Sequence, residues 1–274
     1  FMYNIGGLSK IAKYFDVRES FKELKQNYKV INIQVVTIQS YILLKLLKKS
    51  SIYLITTPWG SDVYRITDSM RKKYQKVYDA SEYVCVMPNT KFGDDIIDIF
   101  NVSKEKCLEL CFGSDVLDRV MVDKIPKDEA KKKMFGTNDN FVITCGYNAA
   151  SAQNHLHIVD ALGQIKEQLP SNTLLVFPVT YAKKAKYLAE LEKKVKATGS
   201  NYKFLTTYLS DQEMIWLRKG TDLFIHMQQT DAYSSSLHEY LYSKTKVINA
   251  EWLSYKELET WGLPYKLSTF ETLS

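Results

Sequence analysis

The sequence is short of cysteine, histidine, glycine and proline. Four cysteines stand in 274 residues, Cys85, Cys107, Cys111 and Cys145, and none forms a C-x-x-C pair. That excludes a disulfide framework and reads as thiols in a reducing compartment. Of the four histidines, His155 and His157 lie two apart, with no cysteine or acid at zinc-like spacing, so no metal is expected. Eleven glycines and six prolines exclude a collagenous or linker-like chain. Long apolar runs are also missing. Val30 to Leu47 is interrupted by Asn32, Gln34, Thr37, Gln39, Ser40 and Lys45, and is too polar to cross a membrane. Phe1-Met2-Tyr3-Asn4 opens no signal peptide. The expectation is a cytoplasmic protein, with peripheral contact to the inner face of an anionic membrane left open.

What is present is an ordinary globular composition, 45% apolar and 25% charged, with enough chain for a sizeable core and about two domains. The net charge of +6 is too mild to choose between phosphate and membrane partners. Short β-rich runs alternate with helical patterns. Val30–Val36, Ile52–Thr56, Tyr83–Met87 and Cys107–Cys111 read as strands, separated by helices at Ile38–Lys49, Met70–Asp79 and Phe92–Phe100. Asn89 or Thr90 is placed to cap the last of these. The alternation restarts at the strand Asn140–Cys145 and continues through the helix Asn154–Gln168 to a last helix, Trp252–Thr260. This order predicts parallel sheets covered by helices. Residues 1–123 form the expected first domain, 124–139 a linker with a short helix at Lys127–Phe135, and 140–274 the second domain. The first domain reads as incomplete at its N-terminus, with few strands for an ordinary sheet.

Ligands of open α/β sheets bind beyond the carboxyl ends of the strands, which directs attention to strand-to-helix loops. Cys145–His155 is small and polar, so its backbone N–H groups suit a phosphate. Gln153, Asn154 and His155 add neutral donors. The bland alternative is a capped helix start. Gln228–Ser236 brings Ser234, Ser235 and Ser236 to another helix start, with Asp231 and Glu239 eight positions apart. Carboxylates accept sugar hydroxyls well, although isolated acids are more often plain surface groups. In the first unit, Thr57–Arg65 contains Gly60, free to adopt unusual angles, and Asp62, a candidate base or N-cap. Basic runs at Lys45 with Lys48-Lys49, Arg71-Lys72-Lys73 with Lys76, Lys183-Lys184 and Lys193-Lys194 read as solvated faces or as anion contacts.

Taken in order, these stretches resemble a glycosyltransferase of the GT-B fold, closest to family four. Thr57–Arg65 is similar to that family's H-G-S-D-x-x-R segment, and Lys106–Asp115 to its K-I-x-V-I-x-x-G-V-D stretch. Tyr202–Leu205, Leu209–Met214 and Thr221–Ile225 resemble its F-L-G, L-S-D-E-E-L and A-D-L-F-V run. Asp231–Glu239 followed by Lys246-Val247-Ile248 resembles its acid-x-seven-Glu and P-V-I segment. Together they span most of residues 28–251. The resemblance implies two Rossmann-like domains facing each other, with metal-independent hexosyl transfer from a nucleotide-sugar to a glycan or lipid-linked acceptor, in surface polysaccharide or glycoconjugate assembly. No cofactor and no nucleic-acid partner are implied.

Carried over, Glu239 would hold the ribose, Asp231 the donor sugar, and Ser235 and Ser236 would lie near the diphosphate, with Ser234 also in the donor site. Gly146, Asn148, Gln153, Asn154 and His155 would belong to the donor site, and Phe204 and Leu205 would border the base. Asp62 would act on the acceptor side with Trp59, Gly60, Ser61 and Arg65. Tyr147 and Gln153 stand where family four has its clamping Arg and Lys, Asp231 stands for Glu, and Trp59 for His. The Gln153-Asn154-His155 element is similar to the N-N-H loop of lipid-linked 4-acetamido-4,6-dideoxygalactose transferases. The first resemblance implies retention and the second inversion. With neutral donors replacing cations, helix N-termini would carry more of the phosphate stabilisation. Two competing readings are a nucleotide-sugar 2-epimerase of the same fold and a catalytically degenerate partner subunit.

Overall fold

The computed structural model describes residues 6–47 and 50–273 and divides into two compact units, 1–111 and 112–274. The first unit runs α1 (Gly6–Asn27), β1 (Val30–Gln34), α2 (Ile38–Leu47), β2 (Tyr53–Thr57), α3 (Ser61–Tyr64), α4 (Asp68–Ala80), β3 (Tyr83–Val86), α5 (Lys91–Phe100) and β4 (Cys107–Glu109). Its four strands pair in parallel in the order β1-β2-β3-β4. The strand–helix alternation is as expected, with α1 and α3 added. Thr90 caps α5 by accepting from Gly93 N at 3.0 Å, and Thr67 caps α4. The cysteines are free thiols. Lys48 and Lys49 lie outside the described residues, while Lys45 and Lys76 both stand over the Tyr41 ring.

The second unit runs α6 (Asp115–Val122), α7 (Lys127–Phe135), β5 (Phe141–Cys145), α8 (His155–Gln164), β6 (Thr173–Pro178), α9 (Ala185–Thr198), β7 (Asn201–Leu205), α10 (Asp211–Gly220), β8 (Leu223–His226), α11 (Ser235–Tyr242), β9 (Lys246–Ala250), α12 (Lys256–Thr260) and β10 (Lys266–Ser268). All six strands are parallel, in the order β10-β9-β8-β5-β6-β7. This is the doubly wound arrangement, in which the strand order reverses between β5 and β8. Alternate residues of the central strands feed two hydrophobic layers. Ile143, Leu175 and Phe177 join one, and Val142, Val176 and Leu205 the other. Burial on both faces explains why these strands read as near-continuous apolar runs.

The boundary expected at residue 123 falls at 111/112 instead, and the expected linker is docked. Gly220 at the end of α10 lies so close to α7 that a Cβ there would meet Lys131 N at 3.1 Å. Lys127 and Lys131 pair with Asp222 at 2.8 and 2.7 Å, and Val142 N donates to Asp222 Oδ2 at 2.8 Å. Lys219 binds the Asp123 carbonyl at 2.5 Å. Elsewhere Lys194 pairs with Asp160 and Lys183 donates to Thr206 O, so two of the basic runs do structural work. Among the described residues no helix is long and apolar enough to cross a membrane.

Burial would raise the Asp222 carboxyl, but hydrogen bonds from Lys127, Lys131 and Val142 outweigh it and hold the group below its usual range. A lowered folded-state pKa adds stability that is complete above the unfolded value and lost as pH falls through the folded one. Asp222→Asn keeps the Val142 bond and removes the charge. It is expected to cost about 1–3 kcal/mol at pH 7 in urea unfolding, and the gap to wild type is expected to close below about pH 4.

Candidate functional site

The two loops singled out by sequence leave β5 and β8, the neighbours at which the strand order reverses. Four bonds tie them together. Gly146 N donates to Ile225 O at 3.0 Å and Gln229 N to Ala152 O at 2.7 Å. Asn154 Nδ2 donates to Met227 O at 2.8 Å, and Gln153 Nε2 donates to Gln228 Oε1. Gly146 has φ +65, and a Cβ would meet both Gln153 Oε1 and His155 Nε2 at 2.8 Å, so both backbone angle and space require glycine. Gln153 Oε1 accepts from Tyr147 N at 3.1 Å, and Asn148 Oδ1 from Ala150 N at 2.8 Å. Gln153, Asn154 and Asn148 therefore build the loop.

His155, the first residue of α8, is fully buried. Burial pulls its pKa down to about 4, which keeps the imidazole neutral. Its Nδ1 lies 3.1 Å from Tyr187 Oη. Which of the two donates in that bond follows the imidazole tautomer. Nε2 is buried with no hydrogen-bond partner among the described residues.

The β8 loop carries a second network. Asp231 accepts from Tyr255 Oη, and from Gln228 Nε2 at 3.3 Å, and lies 3.8 Å from His226 Nε2. Burial and the Asp231 charge push the Tyr255 hydroxyl well above its ordinary value, so it remains a donor. Asn249 donates its amide to Ala250 O and Leu253 O, which turns its carbonyl to His226 Nδ1 at 2.8 Å. His226 Nδ1 thus holds the hydrogen. Burial lowers the His226 pKa, with Asp231 opposing.

α11 starts where the sequence places it. Ser234 caps it by accepting from Leu237 N at 3.2 Å. Ser235 is exposed and Ser236 half-buried. Glu239 is 4% exposed and engaged on both oxygens. Oε2 accepts from Arg218 Nε at 2.8 Å, and Oε1 from Ser114 Oγ at 3.0 Å. Arg218, equally buried, also donates to Tyr240 Oη at 2.8 Å and Ser236 Oγ at 3.3 Å. Ser236 accepts there.

Phe204 and Leu205, expected to border a base, pack into the two hydrophobic layers. The residues beyond that strand end, with Tyr208 77% exposed, face solvent instead. Arg218, Gln228, Tyr255 and Tyr208 carry no motif. In sequence Arg218 looks like an ordinary basic residue in a last helical turn. Among the described residues no three His, Cys, Asp or Glu side chains gather as metal ligands.

In the first unit, Asp62 is buried and accepts from Val36 N at 2.7 Å and Trp59 N at 2.9 Å. It pins the loops after β1 and β2 together. Gly60 has φ +102. Trp59, Ser61 and Arg65 are exposed, and Trp59 Nε1 donates to Gln34 Oε1 at 2.9 Å. The structure thus gathers Trp59, Gly60, Ser61, Asp62 and Arg65 around one strand end of the first unit, and the residues named from the second unit, apart from Phe204 and Leu205, around its switch point.

No protein-family model matches the sequence, and no curated protein is significantly similar. Solved structures are similar in fold. HepE from Anabaena, in complex with UDP and glucose, shares 17% identity at a TM-score of 0.73, over 94% of this chain and 69% of that one. A glycosyltransferase from Rickettsia africae shares 16% at 0.69, over 96% and 69%. A UDP-forming trehalose-phosphate synthase from Burkholderia xenovorans shares 11% at 0.67, over 98% and 68%. The fold is thus that of GT-B glycosyltransferases, two Rossmann-like units.

Arg218 and Glu239 test the ion pair directly. Removing one partner leaves a buried charge uncompensated. Arg218→Met and Glu239→Leu are each expected to cost about 3–5 kcal/mol in urea unfolding. The double variant is expected to cost clearly less than the sum.

Proposed function

We propose that this chain is a glycosyltransferase that takes a sugar from a nucleotide-sugar donor bound at the second unit's switch point. The observation that carries this is the convergence there of a glycine-dependent loop, a capped helix start and a held carboxylate. The acceptor, a glycan or lipid-linked sugar, is read onto the first unit around Trp59, Gly60, Ser61, Asp62 and Arg65. The setting is surface polysaccharide or glycoconjugate assembly at the inner face of a membrane. Likeness to proteins crystallised with UDP, glucose or UDP-glucose supports the donor class.

In this reading the departing diphosphate is stabilised by the N–H groups at the α11 start and by the Ser235 and Ser236 hydroxyls, without a metal or cofactor. His155 puts a neutral imidazole behind the α8 start. Arg218 supports Ser236 from below. Asp231 accepts hydroxyls of the transferred sugar. Glu239 meets the ribose where Ser114 now sits. The epimerase reading differs in giving product without an acceptor, and the degenerate-subunit reading in binding no nucleotide.

A thermal-shift panel of UDP, GDP, dTDP and CMP with their sugars tests this. A ligand at about 100 times its Kd stabilises by about 2.7 kcal/mol. One nucleotide is expected to shift the protein. Asp231→Asn is expected to keep nucleotide binding and weaken the intact nucleotide-sugar about tenfold, by loss of charge-assisted bonds. No shift with any nucleotide would overturn the reading.

A further inference from the structure

The Ser114 hydroxyl has two partners. It caps α6 by accepting from Leu117 N at 3.3 Å, and it donates to Glu239 Oε1 at 3.0 Å. Capping needs only the first of these bonds. The second reaches 125 positions along the chain to α11 and completes no helix or strand. The carboxylate takes its orientation from the buried side, where Arg218 Nε donates to Oε2 at 2.8 Å and the guanidinium also donates to Tyr240 and Ser236. Arg218 is 3% and Glu239 4% exposed, but Ser114 is half-buried. Gly113 and Asp115 on either side of it are exposed, and a Cβ on Gly113 would meet nothing within 4 Å. Among the described residues, Ser114 is thus the one hydrogen-bond partner of the Glu239 side chain that borders solvent.

A serine hydroxyl and a ribose hydroxyl are the same donor to a carboxylate, an alcohol. Each Glu239 oxygen keeps a second acceptor site, but at 4% exposure an incoming hydroxyl reaches them only where Ser114 gives way. We propose that Ser114 is an internal competitor of the donor, a protein hydroxyl on the Glu239 oxygen that a ribose would use. This rests on the donor-site reading above and adds a control on its affinity. Binding becomes an exchange of one alcohol for another, and an exchange of like bonds contributes little net free energy. The apparent affinity falls in proportion to the fraction of chains in which the acceptor is open. The returning serine also closes the acceptor behind a departing nucleoside diphosphate, which speeds release, a step that limits many enzymes. A residue that merely supported Glu239 would act in the opposite sense. Its removal would loosen the carboxylate and weaken the nucleotide.

Calorimetric titration of UDP, GDP, dTDP, CDP and ADP, each with its 2′,3′-dideoxy counterpart, into wild type, Ser114→Ala and Ser114→Thr tests the competitor. The nucleoside diphosphate that wild type binds is expected to bind Ser114→Ala about tenfold more tightly. Its dideoxy counterpart is expected to bind both proteins alike. Ser114→Thr keeps the hydroxyl and the cap, and is expected to match wild type. Unchanged or weaker nucleotide affinity in Ser114→Ala would overturn the competitor and leave the donor site standing. An equal gain for the dideoxy form would also overturn it, since relief of crowding and not a freed acceptor would then explain the change. Failure of every nucleotide to bind either wild type or Ser114→Ala would overturn the donor-site reading, and the competitor with it.

Discussion

The structure of the second unit depends on one constraint, the reversal of strand order between β5 and β8. Adjacent parallel strands whose chains leave toward opposite faces cannot cover the gap between them with either helix. Their loops must close it with their own hydrogen bonds. Here they do so through Gly146 to Ile225, Gln229 to Ala152, Asn154 to Met227 and Gln153 to Gln228. That bonding decides which residues are free to serve a ligand. Asn148, Gln153 and Asn154 use their side chains inward, and the outward surface is mainly backbone, helix starts and the serines of α11. A phosphate is the ligand such a surface suits best, because oriented N–H groups and helix dipoles need no flexible cation to reach it.

Charge in the unit is placed under the crevice and not across it. The Arg218–Glu239 pair is nearly dehydrated, and its position is fixed by Tyr240, Ser236 and Ser114. Such a pair adds little net stability over apolar packing, but it is costly to break. Its consequence is geometric. Glu239 is held in one orientation, with one oxygen committed to Arg218 and the other to a serine hydroxyl that a ribose could replace. The histidines around it are kept neutral by burial at His155, His226 and His238. The switch point thus carries one buried ion pair and the Asp231 carboxylate beside histidines that burial keeps neutral.

Much of this was legible in the sequence, and the failures have physical causes. The alternation of strands and helices was readable because buried parallel strands are continuous apolar runs and their helices are capped by Thr90, Ser210 and Ser234. α1 escaped because its apolar residues gather on no single stripe. β10 is three residues long, too short to show alternation. The supposed linker was polar because its lysines pair with Asp222, an acid distant in sequence. Glu239 and Asp231 stand out in the sequence by spacing, but their partners Arg218 and Tyr255 come from other elements, and no local pattern announces them. Phe204 and Leu205 belong to the strand itself, and a strand's own residues pack into the layers, which no local pattern distinguishes from a loop-facing position.

That distinction also bears on the stereochemical question raised by the two resemblances. Inversion asks for a base that presents a lone pair to the incoming hydroxyl. Asp62 presents one oxygen to Val36 N and the other to Trp59 N, and is 3% exposed. In this arrangement its work is to hold two loops in register, and the groups exposed beside it are Trp59, Ser61 and Arg65. Each oxygen keeps a second acceptor site, but the carboxylate is buried and turned toward its own loops. Asp231 is likewise engaged, by Tyr255 and Gln228. Both acids act in this geometry as fixed acceptors that hold neighbouring loops and side chains in place.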